Sequence, residues 1–258
     1  MMRFSPPGAE ILNCAVDLVV SGCKTAFRDS LVCVILKGSA VRGDFIQGYS
    51  DFDFNVFLKP EVMDGEKSPN IEGAIRFQKV FGDIDPEDFG ASQFQIYFIN
   101  SEKYPHDWVS PVEGTYKIFW GDLPSIAKEM EDSMYLSYAK QFISDVEYSR
   151  KKIVERFVDK PNIRLPPVVR LLGATLKGHM YSVSVLLTSK PKIVLRSTLD
   201  KLLPIVEEGI GSKGYFSRFF GYVVNWSLVK RNYEYAREAF REGTKALDEI
   251  DCWSRRMR

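Results

Sequence analysis

The apolar positions along the first half of the chain change period several times, and each change predicts a new element. Over residues 8–28, Ile11, Leu12, Ala15, Leu18, Val19 and Cys23 recur about every 3.6 residues after Pro6 and Pro7, which predicts a helix. Residues 31–37 (LVCVILK) form a short apolar, β-rich run, the pattern of a strand buried on both faces. A glycine-rich turn follows, GSAVRGDFIQGYS. Residues 52–58 (FDFNVFL) then alternate, with Phe52, Phe54, Val56 and Leu58 on one side and Asp53, Asn55 and Phe57 on the other. Residues 71–82 read as a helix. Residues 93–99 (QFQIYFI) alternate again, with Phe94, Ile96 and Phe98 opposite Gln93, Gln95 and Tyr97. The N-terminal part is therefore expected to be α/β, with about three central strands.

From Ser125 onward the texture is helical. Segments 125–158, 166–188, 197–208 and 215–254 carry helical periodicity, interrupted at Pro161, Pro166–Pro167, Pro191 and Gly209–Gly214. The expectation is an antiparallel bundle of four or five helices. The break WGDLP at Gly121–Pro124 divides the chain into 1–124, a small mixed sheet with helices, and 125–258, an all-α helical bundle. No internal repeat or low-complexity segment is visible.

Composition narrows this little. The chain has 258 residues, 45% hydrophobic and 27% charged, which excludes a disordered chain, a collagen-like chain and a coiled-coil rod. The four cysteines, at 14, 23, 33 and 252, have neither Cys-x-x-Cys nor metal-site spacing and are expected to be buried, reduced thiols. No apolar run reaches the 18 or so residues of a membrane helix, and the acidic N-terminal segment makes a poor signal peptide. A cytoplasmic protein with no membrane partner is expected. The net charge of +1 conceals a division. Residues 1–124 carry 11 Lys+Arg against 18 Asp+Glu, a net −7; residues 125–258 carry 24 against 16, a net +8. An acidic half suits carboxylates that need a cation, and a basic half facing it would attract an anionic ligand.

The chemistry concentrates in Gly38-Ser39-Ala40-Val41-Arg42-Gly43-Asp44 and Ser50-Asp51-Phe52-Asp53. Glycine permits close backbone approach, and serine adds a hydroxyl and amides that suit a phosphate. Two carboxylates at i and i+2 on a strand share a face, roughly 7 Å apart at Cα. Such a pair is unfavourable without a cation between its members. Mg²⁺ accepts one or two carboxylates together with substrate phosphates. Either short motif alone has a bland reading, a turn or a solvated strand end. The compound pattern of strand, Gly-Ser, eleven intervening residues and SDxD opening an alternating strand is much harder to obtain by accident.

GSAVRGDFIQGYSDFDFNVFL resembles the core motif of the polymerase-β-like nucleotidyltransferases, and is most similar to the minimal and aminoglycoside members, with Arg42-Gly43 typical of the minimal group. The resemblance implies a Mg²⁺-dependent enzyme that transfers a nucleoside monophosphate from an NTP, with ATP the first choice, to a hydroxyl of a small molecule or protein. It implies that Asp51 and Asp53 ligate Mg²⁺ and are the catalytic pair, and that Gly38, Ser39, Arg42 and Ser50 hold the nucleotide. The family also has a third carboxylate on a later strand, which deprotonates the attacking hydroxyl. Here the matching position is Gln95, with Gln93 the other candidate, and an amide cannot act as a general base. The acids before that strand (Asp83, Asp85, Glu87, Asp88) read as a solvated loop, and Glu113 is a more distant substitute. The alternative is thus an NTP-binding regulatory module with weak or no turnover.

In the helical half, Lys177 is assigned to nucleotide binding, with Arg170 and His179 as weaker candidates near the unusual glycines 173 and 178. The two histidines, His106 and His179, do not fit the Arg-x₄₋₆-His motif of ribonuclease-like helical partners, because Arg170 lies nine residues before His179. The aromatic stretch 215–235 reads as core packing rather than base stacking. A nucleic-acid partner is not expected, since no recognition motif is visible. A homodimer is left open.

Overall fold

In the computed structural model, residues 4, 6–105 and 108–257 are described. His106 and Arg258 lie outside them. The chain divides into two compact units, Ser5–Met130 and a second built on Glu131–Arg258.

The first unit is α/β. Helix α1 (Ala9–Phe27) leads into β1 (Leu31–Lys37), then a one-turn helix α2 (Ser39–Arg42), β2 (Phe52–Leu58), helix α3 (Ile71–Phe81), β3 (Phe94–Asn100) and β4 (Tyr116–Gly121). The four strands form one mixed sheet in the order β3-β2-β1-β4. β1 runs antiparallel to both β2 and β4, and β2 runs parallel to β3. The sequence pattern predicts three of these strands. β4 lacks alternation because its register to β1 shifts between Val34 and Ile35, so Ile118 pairs with Ile35 and Trp120 with Val34. Such a bulge rotates the strand and erases the period-2 signature.

Each face of the sheet has its own cover. Val34 and Leu36 of β1 and Phe52, Phe54, Val56 and Leu58 of β2 pack with α1 and with Phe77 of α3. The buried stripe of α1 is Ala15, Val16, Val19, Val20, Cys23, Ala26 and Phe27, while Ile11 and Leu18 are exposed. The stripe read from the sequence is thus rotated part of a turn from the one that is buried. The opposite face buries Cys33, Ile35, Phe57 and Ile99 against Trp108 and Ala127. Because Ala127 belongs to that core, and the Ser110 hydroxyl donates to the Lys128 carbonyl at 2.7 Å, residues 125–130 stay with the α/β unit. All four cysteines are free thiols. Cys23 and Cys33 are buried, but Cys14 and Cys252 are exposed, against the expectation, because each falls on the solvent side of its helix.

The second unit is helical. Among the described residues it contains eight helices: α4 (Asp132–Ser144), α5 (Val146–Val158), α6 (Leu165–Thr188), α7 (Pro191–Arg196), α8 (Leu199–Ile210), α9 (Tyr215–Val223), α10 (Trp226–Arg231) and α11 (Tyr233–Arg256). This exceeds the four or five expected from periodicity. Pro191, read as a break, starts α7, where a missing N–H costs nothing. The segment 215–254 is three helices rather than one. Asn232 interrupts it by accepting the amides of Glu234 and Tyr235 at 3.0 and 3.1 Å, a cap that begins α11. Phe216, Phe219, Phe220, Val223, Trp226 and Val229 of that segment are buried, in line with a core role. None of the helices is long and apolar enough to cross a membrane, among the residues described.

Candidate functional site

The site is assembled at one end of the sheet. β1 delivers the chain to Gly38, whose φ of +80° lies in the region that favours glycine. A Cβ at this position would overlap the Asp53 carboxylate. Glycine is therefore required both by the backbone and by the approach of the next strand. What reads as a loose turn in the sequence is partly α2, a single helical turn closed by Gly43 at φ +88°. The amides of Val41 and Arg42 bond to the Gly38 carbonyl at 3.1 and 3.0 Å.

The flanking polar residues brace this turn. Ser39 is only 5% exposed, so its side chain sits inside the turn. The Arg42 guanidinium lies 3.5 Å from the carboxylate of buried Asp44. The Ser50 hydroxyl accepts the Ile46 amide at 2.9 Å, and the Ser50 amide bonds to the Ile46 carbonyl at 2.8 Å. Ser50 thus locks the loop that aims Asp51.

Asp51 and Asp53 are both half-buried, at the start of β2. One oxygen of Asp51 accepts from Gln93 Nε2 at 3.1 Å, and the other from the Ser92 hydroxyl. Asp53 is the Cα partner of Lys37 on β1 and of Gln95 on β3. One row across the sheet therefore reads Gln95, Asp53, Lys37, Tyr116. Gln95 stands in register with Asp53, while Gln93 is bonded to Asp51. Gln95 Nε2 also donates to the Tyr97 hydroxyl.

Three residues join this site that sequence reasoning did not name: Lys37, Ser92 and Tyr97. The Lys37 Nζ lies 5.2 Å from the centre of the Tyr97 ring. Burial pushes the Lys37 amine down, Asp53 pulls it back up, and Arg42 lowers it further. Burial raises the Tyr97 phenol, Asp53 and Asp51 add to this, and the Gln95 hydrogen bond opposes it. Tyr97 is thus a hydrogen-bonding hydroxyl and not a base at neutral pH. The one signal for Lys37 was a charged residue closing an otherwise apolar strand directly before Gly38.

Of the other acids, Glu113 acts electrostatically on Tyr116 at the end of this row, and the four before β3 lie on turns. Asp83, Asp85, Glu87 and Asp88 are exposed, and Asp85 caps a short turn by accepting the Glu87 amide at 2.9 Å. Glu113 is also exposed, and its amide bonds to the Glu129 carboxylate at 3.0 Å.

Lys177, Arg170 and His179 belong to α6 of the helical unit. Lys177 and Arg170 are half-buried. His179 is fully buried, neither ring nitrogen has a hydrogen-bond partner, and the Phe142 ring of α4 lies 4.6 Å away. Burial pushes its imidazole down to about 4. A Cβ at Gly178 would meet that ring at 3.0 Å, so this glycine admits a neighbouring helix.

Among the described residues, no three His, Cys, Asp or Glu side chains form a metal-binding group. The donor set at the sheet end is two carboxylates on one face. That set fits Mg²⁺, which completes its shell with phosphate oxygens and water rather than with an all-protein cage. No family model matches the chain, and no curated protein matches it in sequence.

Proposed function

We propose that this chain is a Mg²⁺-dependent nucleotidyltransferase of the polymerase-β-like type, moving a nucleoside monophosphate from an NTP to a hydroxyl of a small molecule or protein. The observation that carries the reading is the placement of Asp53: in register between Lys37 and Gln95 and packed against a glycine at φ +80°, with Asp51 held beside it by Gln93 and Ser92. Asp51 and Asp53 would hold Mg²⁺ together with the triphosphate. When bound, the ion neutralises charge on the phosphates and on the departing pyrophosphate.

The chain's own residues do the rest. Gly38 lets the turn approach Asp53 closely, and Ser39 and Arg42 border the same turn. Gln93 and Ser92 fix the Asp51 carboxylate. The acceptor oxygen bonds to the α-phosphorus, the bond from that phosphorus to the pyrophosphate oxygen breaks, and pyrophosphate leaves. The acceptor proton passes to solvent, because Gln95 cannot take it.

That glutamine supports a second reading, a module that binds NTP without turnover. A positioned base contributes about 10²–10⁴-fold, and its absence at the Asp53 row would slow the chemistry by as much. Titration with Mg²⁺ and each of the four NTPs, with pyrophosphate release as a second readout, separates the two. The transferase reading expects binding and release by the wild type and loss of both in Asp53→Asn. Binding without release, with release appearing in Gln95→Asp, favours the module. No binding at millimolar nucleotide removes both readings.

A further inference from the structure

Lys37 and Tyr97 sit on strands separated by β2, in the sheet order β3-β2-β1. The Lys37 Nζ nonetheless lies 5.2 Å from the Tyr97 ring centre. Neighbouring strands are about 4.8 Å apart, so the lysine stem must cross the face of β2 to come this close. Its Cα partner there is Asp53, and the residue beside Asp53 on the far side is Gln95. The ammonium thus lies on the side of the carboxylate pair where the resemblance implies a third carboxylate and where this chain has an amide. Around the carboxylate pair, Asp51 and Asp53 contribute two negative charges and Lys37 returns one positive, Gln95 and Tyr97 contribute none, and Arg42, which also acts on Lys37, lies 3.5 Å from the Asp44 carboxylate.

We propose that Lys37 is a positioning residue whose ammonium takes the electrostatic place of a second divalent cation, so that the site accepts one such ion with its nucleotide. The inference rests on the nucleotidyl-transfer reading and deepens it. Two protein carboxylates, one of them in register with a lysine, are few ligands for two divalent ions. Two carboxylates shared with a triphosphate suit one hard cation, and a lysine ammonium beside them repels another.

The test uses Mn²⁺ as the probe, counted by the paramagnetic resonance signal of the free ion, on the full chain with and without a non-hydrolysable α,β-methylene ATP analogue. The wild type should bind one Mn²⁺ per chain at saturating analogue. Lys37→Met should bind Mn²⁺ about tenfold more tightly without nucleotide, as expected when a nearby like charge is removed. Lys37→Arg, which keeps the charge, should stay within about twofold of the wild type. Lys37→Met combined with Gln95→Asp should bind two ions. Where Lys37→Met fails to fold, Lys37→Gln replaces it. Two ions in the wild type, or a Lys37→Met affinity equal to wild type, overturns the assignment of Lys37 and leaves the nucleotidyl-transfer reading standing. Failure of the wild type to bind Mn²⁺ and analogue at all defeats that reading, and the role of Lys37 with it.

Discussion

Asn55 sits two positions along β2 from Asp53, between Ile35 and Tyr97, with 0% exposure and no hydrogen-bond partner for either amide atom. A buried amide without partners costs about 1–3 kcal/mol relative to a satisfied one. Asn55→Leu, close in shape, should therefore raise the urea midpoint, by about 1 kcal/mol of stability. A loss of stability instead would show that the amide is satisfied. At this scale the sequence revealed the residues that act through their own backbone neighbours. Gly38, Asp51 and Asp53 were legible because a turn and a period-2 strand fix their mutual placement locally. Lys37 and Tyr97 were not, because they reach the carboxylates only through strand register, and Ser92 was not, because it meets Asp51 only where the chain entering β3 lies beside the start of β2.

Among the elements, β4 shows what register adds. Its apolar residues do not alternate, since the bulge puts Ile118 and Trp120 opposite successive positions of β1. The strand ends at Gly121, φ +65°, where a Cβ would collide with the backbone carbonyl of Val32. Backbone cannot move aside as a flexible side chain can, so Gly121→Ala should cost at least about 2 kcal/mol, combining a positive-φ penalty with displacement of β1. Thermal unfolding would measure it, and a change under 0.5 kcal/mol, the usual range of about ±0.5 for a surface site, would contradict the placement. The sequence marked this glycine as part of a chain break between the two halves and was silent about the strand that ends there; the units divide after Met130 instead. Asn232 is the converse case. Periodicity runs through it, and only its side-chain cap divides α10 from α11.

At the level of the whole molecule, the opposed charges of the two parts of the chain were visible in the sequence, as was the change from α/β to all-α texture. The buried histidine of the helical unit gives that unit a distinct response to acid. His179 is pushed to about 4 when folded, against an ordinary value of 6.5. Between those values the unfolded imidazole binds a proton that the folded one does not, so stability falls as pH drops from about 6.5 toward about 4. The loss should reach roughly 3 kcal/mol at the bottom of that window. Urea unfolding between pH 7 and pH 4 should show it, with the slope flattened in His179→Leu; an unchanged slope would place the acid sensitivity elsewhere. The first three strands, helices α1 and α3, the need for glycine at 38 and the paired aspartates were determined by the sequence alone, because each depends on residues within one turn or one strand. The fourth strand, the row from Gln95 through Asp53 to Lys37, the bracing of Asp51 and the burial of His179 were decided by tertiary structure. They depend on which strands become neighbours and in what register, and that is settled by burying two faces of one sheet at once.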